Sequence, residues 1–337
     1  MKLLTVLGAR PQFIKAAPVS RAIARSTRVH EVLVHTGQHY DSNMSQVFFE
    51  ELEIPAPAYN LDVQADRHGA MTGRMRERVE VVLLDERPDA VLVYGDTNST
   101  LAGALAAAKL EIPVAHVEAG LRSFNRAMPE EVNRVLTDRL STLLFCPTPT
   151  AIDNLAQEGV RSGIHWTGDV MYDSVLLARA HSERHATILQ RHGLTSGAYA
   201  LATVHRAENT DDAERLAGVI GYLQEQTRGQ KLVLPLHPRT RAAAARHGLD
   251  FGRITLLPPV GFLEMAALLS HCRQVFTDSG GLQKEAYFHG KPCVTLRDET
   301  EWVETLACGW NRLWTQPAYA ERREIAAYGD GQAARRI

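Results

Sequence analysis

Short apolar runs alternate with longer stretches of helical period from one end of the chain to the other. In the first half the apolar runs are Leu3–Leu7, Val29–His35, Ala90–Tyr94, Val114–Val117 and Thr142–Cys146. Between them, Ala16–Arg25, Met71–Asp85 and Thr100–Leu110 carry the helical pattern. This β-α-β rhythm predicts a parallel, doubly wound sheet. The second half repeats it with YALATV (199–204), KLVLPL (231–236), RITLLP (253–258), QVFTDSG (274–280) and PCVTLR (292–297). The expected fold class is α/β, with two doubly wound domains in series, 1–168 and 169–320, divided near Gly168.

Ligands of such sheets bind beyond the C-terminal strand ends, so the two domains are expected to face each other across a cleft. Polar clusters follow the predicted strands: Gly8-Ala9-Arg10, Thr36-Gly37-Gln38-His39, Gly95-Asp96-Thr97, Glu118-Ala119-Gly120, His205-Arg206, His237-Pro238-Arg239, Asp278-Ser279-Gly280-Gly281 and Arg297-Asp298. Stability alone would not place such side chains at one strand end after another.

Composition narrows the function classes. A length of 337 residues allows each domain a core of its own. The hydrophobic fraction of 45% and charged fraction of 23% are those of an ordinary soluble protein. A formal net charge of −2 excludes a general nucleic-acid surface, which needs a basic excess. The apolar start MKLLTVLGARP is too short for a signal peptide, and no run approaches the ~18 residues of a membrane span. Cys146, Cys272, Cys293 and Cys308 form no CxxC pair. The first three lie in or beside apolar stretches and read as small core residues, which fits a cytoplasmic protein.

TDSGGLQKEA sets Ser279, Gly280 and Gly281 at a strand-to-helix junction. Free N–H groups, the hydroxyl and the helix dipole there suit a phosphate, while Ser279 is also a good helix cap. Arg10, in the opening GARPQFIKAAP, is the natural second clamp, since a guanidinium matches a phosphate bidentately. Two clamps suit a diphosphate. A dinucleotide reading fails, because GxGxxG is absent and VHTGQHYD offers no acid for a ribose. Asp96, Glu118, Glu130 and Glu131 are candidate proton carriers beyond buried strands. The plainer alternatives are a helix cap for Asp96, a salt bridge to Arg122 for Glu118 and solvent exposure for Glu131. His205 suits proton exchange or phosphate binding, or is a hydrogen-bonded loop histidine. No metal-ligand spacing, GxSxG elbow or nucleophilic cysteine emerges. What remains is proton transfer on a phosphorylated ligand, most simply a nucleotide sugar.

GARPQFIKAAP, TGQHYD, GDTNST, HVEAGLRS with MPEEVNR, HRAEN, DSGGLQKEA and LRDETEWVET together resemble the non-hydrolysing UDP-N-acetylglucosamine 2-epimerases, in order along the whole chain. The resemblance implies two Rossmann-like domains in the glycosyltransferase-B architecture, with the segment 321–337 crossing back to the first domain. It implies loss of the C2 proton and of UDP from C1, a glycal intermediate, and re-addition of UDP with reprotonation on the other face. Asp96, Glu118 and Glu130 would be the acid and base carboxylates, and His205 would assist departure of the phosphate. Arg10, Ser279 and Gly280 would hold the diphosphate, with Lys15 and Gly281 as further substrate-binding residues, and Glu304 would bind the ribose. Gln38, His39, Arg134 and His237 are secondary site residues. The partners implied are a UDP-sugar, UDP and a second copy of the chain in a homodimer. No cofactor, NAD or metal is implied, and the setting is cytoplasmic polysaccharide biosynthesis.

The chain also departs from that pattern. QHYD (38–41) stands where many members read QHR, within their allosteric site. TEWVET (300–305) replaces the more usual TERPE and points to a branch acting on UDP-2,3-diacetamido-2,3-dideoxyglucuronic acid. The stretch from Trp314 to Tyr328 is short. The alternatives to epimerisation of UDP-N-acetylglucosamine are the same reaction on that uronate, a hydrolysing epimerase, a glycosyltransferase of the same fold and a catalytically silent nucleotide-sugar binder.

Overall fold

The computed structural model describes residues 1–38, 49, 51–64, 67–185 and 187–337. The chain divides into two compact units, Met1–Ser174 with Ala326–Ile337, and Val175–Ile325.

In the first unit, seven strands form one parallel sheet in the order β3-β2-β1-β4-β5-β6-β7. They are β1 (Lys2–Leu7), β2 (His30–His35), β3 (Tyr59–Asn60), β4 (Ala90–Tyr94), β5 (Val114–Val117), β6 (Leu143–Cys146) and β7 (Ile164–Trp166). The order reverses between β1 and β4, and such a switch point opens a crevice at the strand ends. The helices used below are α1 (Arg10–Ala24), α2 (His68–Glu86), α3 (Asn98–Lys109), α4 (Pro129–Leu140), α5 (Pro149–Gln157) and α6 (Val170–His185). Central strands are buried on both faces, which is why they read as continuous apolar runs rather than alternating ones. Gly103 of α3 lies against Val6, where a Cβ would sit 3.2 Å from the valine side chain.

Helix α1 begins at Arg10, six positions before the apolar period shows it. Pro11 is tolerated in the first turn, where its missing N–H has no partner to lose. Pro18 lies inside the helix and cannot bond the Ile14 carbonyl. That carbonyl instead accepts the Ser174 hydroxyl of α6 at 2.8 Å, so the backbone group is not orphaned. Residues 326–337 are fastened to the same region. Asp173 accepts the N–H groups of Ala333 and Ala334, both at 3.1 Å, and Arg336 donates to the Thr167 carbonyl at 3.0 Å.

In the second unit, six parallel strands run β10-β9-β8-β11-β12-β13. They are β8 (Tyr199–Thr203), β9 (Lys231–Pro235), β10 (Thr255–Leu257), β11 (Gln274–Thr277), β12 (Cys293–Thr295) and β13 (Asn311–Leu313). The switch point falls between β8 and β11. The helices used here are α7 (Ala213–Gln226), α8 (Pro238–His247), α9 (Phe262–His271), α10 (Gly280–Phe288) and α11 (Val303–Ala307). Apolar clusters lie on each face of the sheet, one with Leu201, Leu268 and Val275, the other with Leu216, Leu234 and Phe276. No described helix is long and apolar enough to cross a membrane.

The strands β3, β7 and β13 escaped sequence reading because two or three residues are too few to show a period.

Candidate functional site

Arg10 is the first residue of α1, directly after the Gly8-Ala9 turn. That turn has no open N–H for an anion. The buried Gln12 side chain accepts from Gly8 N at 2.8 Å and Ala9 N at 3.0 Å. Its amide donates to the Tyr94 carbonyl and Thr100 Oγ1, both at 3.1 Å, tying the turn to β4 and α3. A Cβ on Gly8 would overlap the Thr36 and Ser99 hydroxyls, which are themselves bonded at 2.8 Å. Gln38 accepts from Ser99 N at 3.0 Å and Ser99 Oγ at 2.7 Å, so its carboxamide oxygen secures the start of α3. His39, with Tyr40 and Asp41, lies outside the described residues.

The turns after β4 and β5 bring two of the expected carboxylates to neighbouring strand ends. Glu118 forms an ion pair with Lys15 of α1, not with Arg122. A Cβ on Gly95 would lie 3.2 Å from Lys15 Nζ and 3.3 Å from Glu118 Oε2. Glu118 itself has φ +72, in the left-handed region that costs a non-glycine residue on the order of 1–3 kcal/mol. Asp96 is ion-paired with Arg134 of α4. The cap of α3 is Thr97, whose hydroxyl accepts from Thr100 N, so Asp96 is spared that task.

The two glutamates of MPEEVNR divide sharply. Glu131 is not a solvent-facing residue: it is 3% exposed and accepts from Ser123 N, Ser123 Oγ, Phe124 N and Arg134 Nη1 at 2.8–3.0 Å. It therefore locks the loop between β5 and α4. Glu130, in the first turn of α4, is half-buried and has no hydrogen bond or ion pair among the described residues.

Beneath these turns lies a network that sequence reading missed. His116 of β5 is fully buried, with Nδ1 2.7 Å from Asp138 Oδ1 and Nε2 2.7 Å from the Gly95 carbonyl. Asp138 Oδ2 accepts from Gly120 N at 3.1 Å and Arg122 Nη1 at 2.7 Å. Arg122 also meets Glu158 in a fork, at 2.7 and 2.8 Å. Burial alone would raise the Asp138 carboxyl, but the His116 hydrogen bond and the charges of His116 and Arg122 outweigh it and hold it below the usual range.

In the second unit, fully buried Asp278 organises the loop after β8. Its carboxylate accepts from His205 N at 2.9 and 3.1 Å, Arg206 N at 2.9 Å and Asn209 Nδ2 at 3.1 Å. It also lies 3.3 Å from His205 Nδ1, an ion pair when the imidazole is protonated. The rings of His205 and His237 lie 5.4 Å apart, and His237 Nδ1 accepts from Arg239 N at 3.2 Å to cap α8. Ser279 caps α10 by accepting from Leu282 N. The N–H groups of Gly280 and Gly281 have no partner among the described residues. Glu301 borders this turn, with Oε1 2.5 Å from where a Gly280 Cβ would stand, and Arg297 holds its other oxygen at 2.9 Å. Arg206 Nη2 lies 3.7 Å from the same position. Glu304, at the second position of α11, has no side-chain partner among the described residues.

Burial pushes the Cys146 and Cys272 thiols up to about 12, so neither offers a thiolate near neutral pH. Among the described residues no group of three His, Cys, Asp or Glu side chains converges as a metal site.

A family model described as UDP-N-acetylglucosamine 2-epimerase matches residues 21–337. A UDP-2,3-diacetamido-2,3-dideoxy-D-glucuronate 2-epimerase of Pseudomonas aeruginosa is 52% identical, over 100% of this chain and 98% of its own. A UDP-N-acetylglucosamine 2-epimerase of Methanocaldococcus jannaschii is 44% identical, over 93% and 88%. Among solved structures, a UDP-GlcNAc 2-epimerase of Methanocaldococcus jannaschii in complex with UDP-GlcNAc and UDP superposes with a TM-score of 0.92 at 40% identity, over 100% of this chain and 98% of that one. One from Neisseria meningitidis bound to UDP-GlcNAc gives 0.85 at 30%, over 100% and 90%. The two parallel sheets with their flanking helices are thus a two-domain α/β fold of the glycosyltransferase-B kind. The chain is an isomerase, and it belongs to the UDP-N-acetylglucosamine 2-epimerase family.

Proposed function

We propose that the chain interconverts C2 epimers of a UDP-linked 2-acetamido sugar without hydrolysis, by eliminating UDP and adding it back. The observation that supports this most is the meeting of carboxylates and cations at the strand ends of the first unit. Asp96 with Arg134, and Glu118 with Lys15, occupy adjoining turns, and Glu130 stands at the start of α4. A weakly acidic carbon beside a departing diphosphate needs a base on one face, a proton donor on the other and cations for the phosphates. Glu130 alone of the three has no hydrogen bond or ion pair among the described residues. In the second unit, the open N–H groups of Gly280 and Gly281 bind phosphate oxygens, His205 assists departure of the phosphate and Glu304 takes the ribose hydroxyls; Arg10 is the phosphate-binding cation of the first unit. A homodimer, a cytoplasmic setting and service in polysaccharide synthesis belong to the same proposal.

Two sugars compete as substrate. UDP-N-acetylglucosamine is named for most of the relatives above, while the 52% identity to the uronate enzyme over the whole chain favours UDP-2,3-diacetamido-2,3-dideoxyglucuronic acid. NMR of the purified protein with each UDP-sugar in deuterated water tests both. The expected result is reversible epimerisation with deuterium at C2 and no added cofactor, for one of the two sugars. Product without C2 deuterium, or activity only with NAD, would sink the elimination mechanism.

A further inference from the structure

We infer that His116 and Asp138 are positioning residues which hold the Asp96 and Glu118 turns in register as a single unit. A carbonyl and a carboxylate only accept hydrogen bonds. His116, 2.7 Å from each, therefore donates from both ring nitrogens, one towards each turn's support. Nε2 grips the Gly95 carbonyl, and Gly95 adjoins Asp96. Nδ1 grips Asp138, whose other oxygen takes the Gly120 N–H, two residues past Glu118. Arg122 completes the charge balance at 2.7 Å from the same oxygen and is itself forked onto Glu158.

Local preference suits these turns at their glycines but not at Glu118. Gly95, Glu118 and Gly120 all have positive φ, at +63, +72 and +80. Glycine adopts such a φ freely, but a non-glycine residue there, as Glu118 is, persists only where its surroundings over-determine it. The network supplies that constraint from one buried point, with His116 and Asp138 at 0% and 1% exposure. Neither residue reaches the surface where a sugar would lie, so both act through the carboxylates they place. This rests on the proposed roles of Asp96 and Glu118.

The test pairs His116→Gln with Asp138→Asn and uses two readouts. Amide hydrogen exchange reads the network without any reaction. In His116→Gln, exchange at residues 95–97 and 118–120 should rise together by about tenfold, with β1 amides unchanged. Steady-state kinetics read the consequence: kcat falls by about 100-fold, the scale of an ångström's misplacement, while KM stays within about threefold. Asp138→Asn repeats both measurements and carries the test if the histidine variant does not fold. Wild-type exchange at either turn, or a KM rise with kcat unchanged, overturns the inference. A wild-type protein that epimerises neither UDP-sugar overturns the functional reading instead, and the exchange result still decides whether the two turns are coupled.

Discussion

The turns Gly8–Arg10 and Ser279–Gly281 share one local design, a buried strand that feeds through small residues into a helix, yet their backbone donors are used in opposite ways. In the first, Gln12 fills the Gly8 and Ala9 N–H groups and anchors the turn to Tyr94 and Thr100. In the second, the Ser279 hydroxyl accepts the Leu282 N–H and the Ser279 N–H goes to Thr277 Oγ1, while those of Gly280 and Gly281 stay open among the described residues. The first turn is thus a structural joint, and any anion near it must rely on side chains such as Arg10. The second leaves two donors at a helix N-terminus without a partner among the described residues. Asp96 and Glu118 of the first unit are ion-paired with Arg134 and Lys15, while Glu130 has no described partner; at the turn of the second, Glu301 is bonded to Arg297. The same strand–turn–helix sequence therefore predicts neither use until the occupant of its N–H groups is known.

The contrast fails most visibly at the carboxylates. Asp96→Asn, Glu118→Gln and Glu130→Gln should each lower kcat by about 100-fold or more, the scale of a lost general acid or base, with UDP affinity nearly intact by calorimetry. Wild-type turnover in any one removes that residue from the chemistry.

Asp138→Asn should cost about 3 kcal/mol of folding stability near neutral pH, as breaking a buried pair does. The sign with pH is fixed by the direction of the shift. A carboxyl held low in the folded state contributes stability above its unfolded value near 3.9 and loses it as pH falls through the folded value. Urea unfolding from pH 7 to pH 3 should show the gap between variant and wild type steady at first and narrowing below about pH 4. A gap that widens in acid would contradict the charge assignment.

The two turns should then separate by readout. Gln12→Leu leaves the buried Gly8 and Ala9 N–H groups without a partner, though the Tyr94 carbonyl keeps Thr100 Oγ1, so stability should drop by about 2 kcal/mol while UDP affinity stays within about threefold. Gly280→Ala puts a Cβ against Glu301 and should weaken UDP by about tenfold, ~1.4 kcal/mol, with stability changed by less than ~0.5 kcal/mol. If Gln12→Leu weakens UDP as much as Gly280→Ala does, the first turn binds the diphosphate directly and the contrast is wrong.

The apolar pattern was enough to place β4 and β5 at Ala90–Tyr94 and Val114–Val117, and the clusters containing Asp96 and Glu118 immediately after them. It was enough because a strand buried on both faces must be apolar throughout, and because a doubly wound sheet leaves its C-terminal ends to the loops. Residue chemistry and motif order carried the family. The partners of those residues were decided only by folding. Lys15 and Glu118 stand 103 positions apart in the chain, and Gln12 and Tyr94 stand 82 apart. The plainer local alternatives, a salt bridge of Glu118 to Arg122, an Asp96 cap for α3 and a solvent-facing Glu131, are not what the fold makes of these residues. A helical period records which face of an element is apolar, but a hydrogen bond or ion pair depends on distance between atoms. For residues on different elements, that distance is set by how β1, β4 and β5 lie side by side, which no local stretch of sequence encodes.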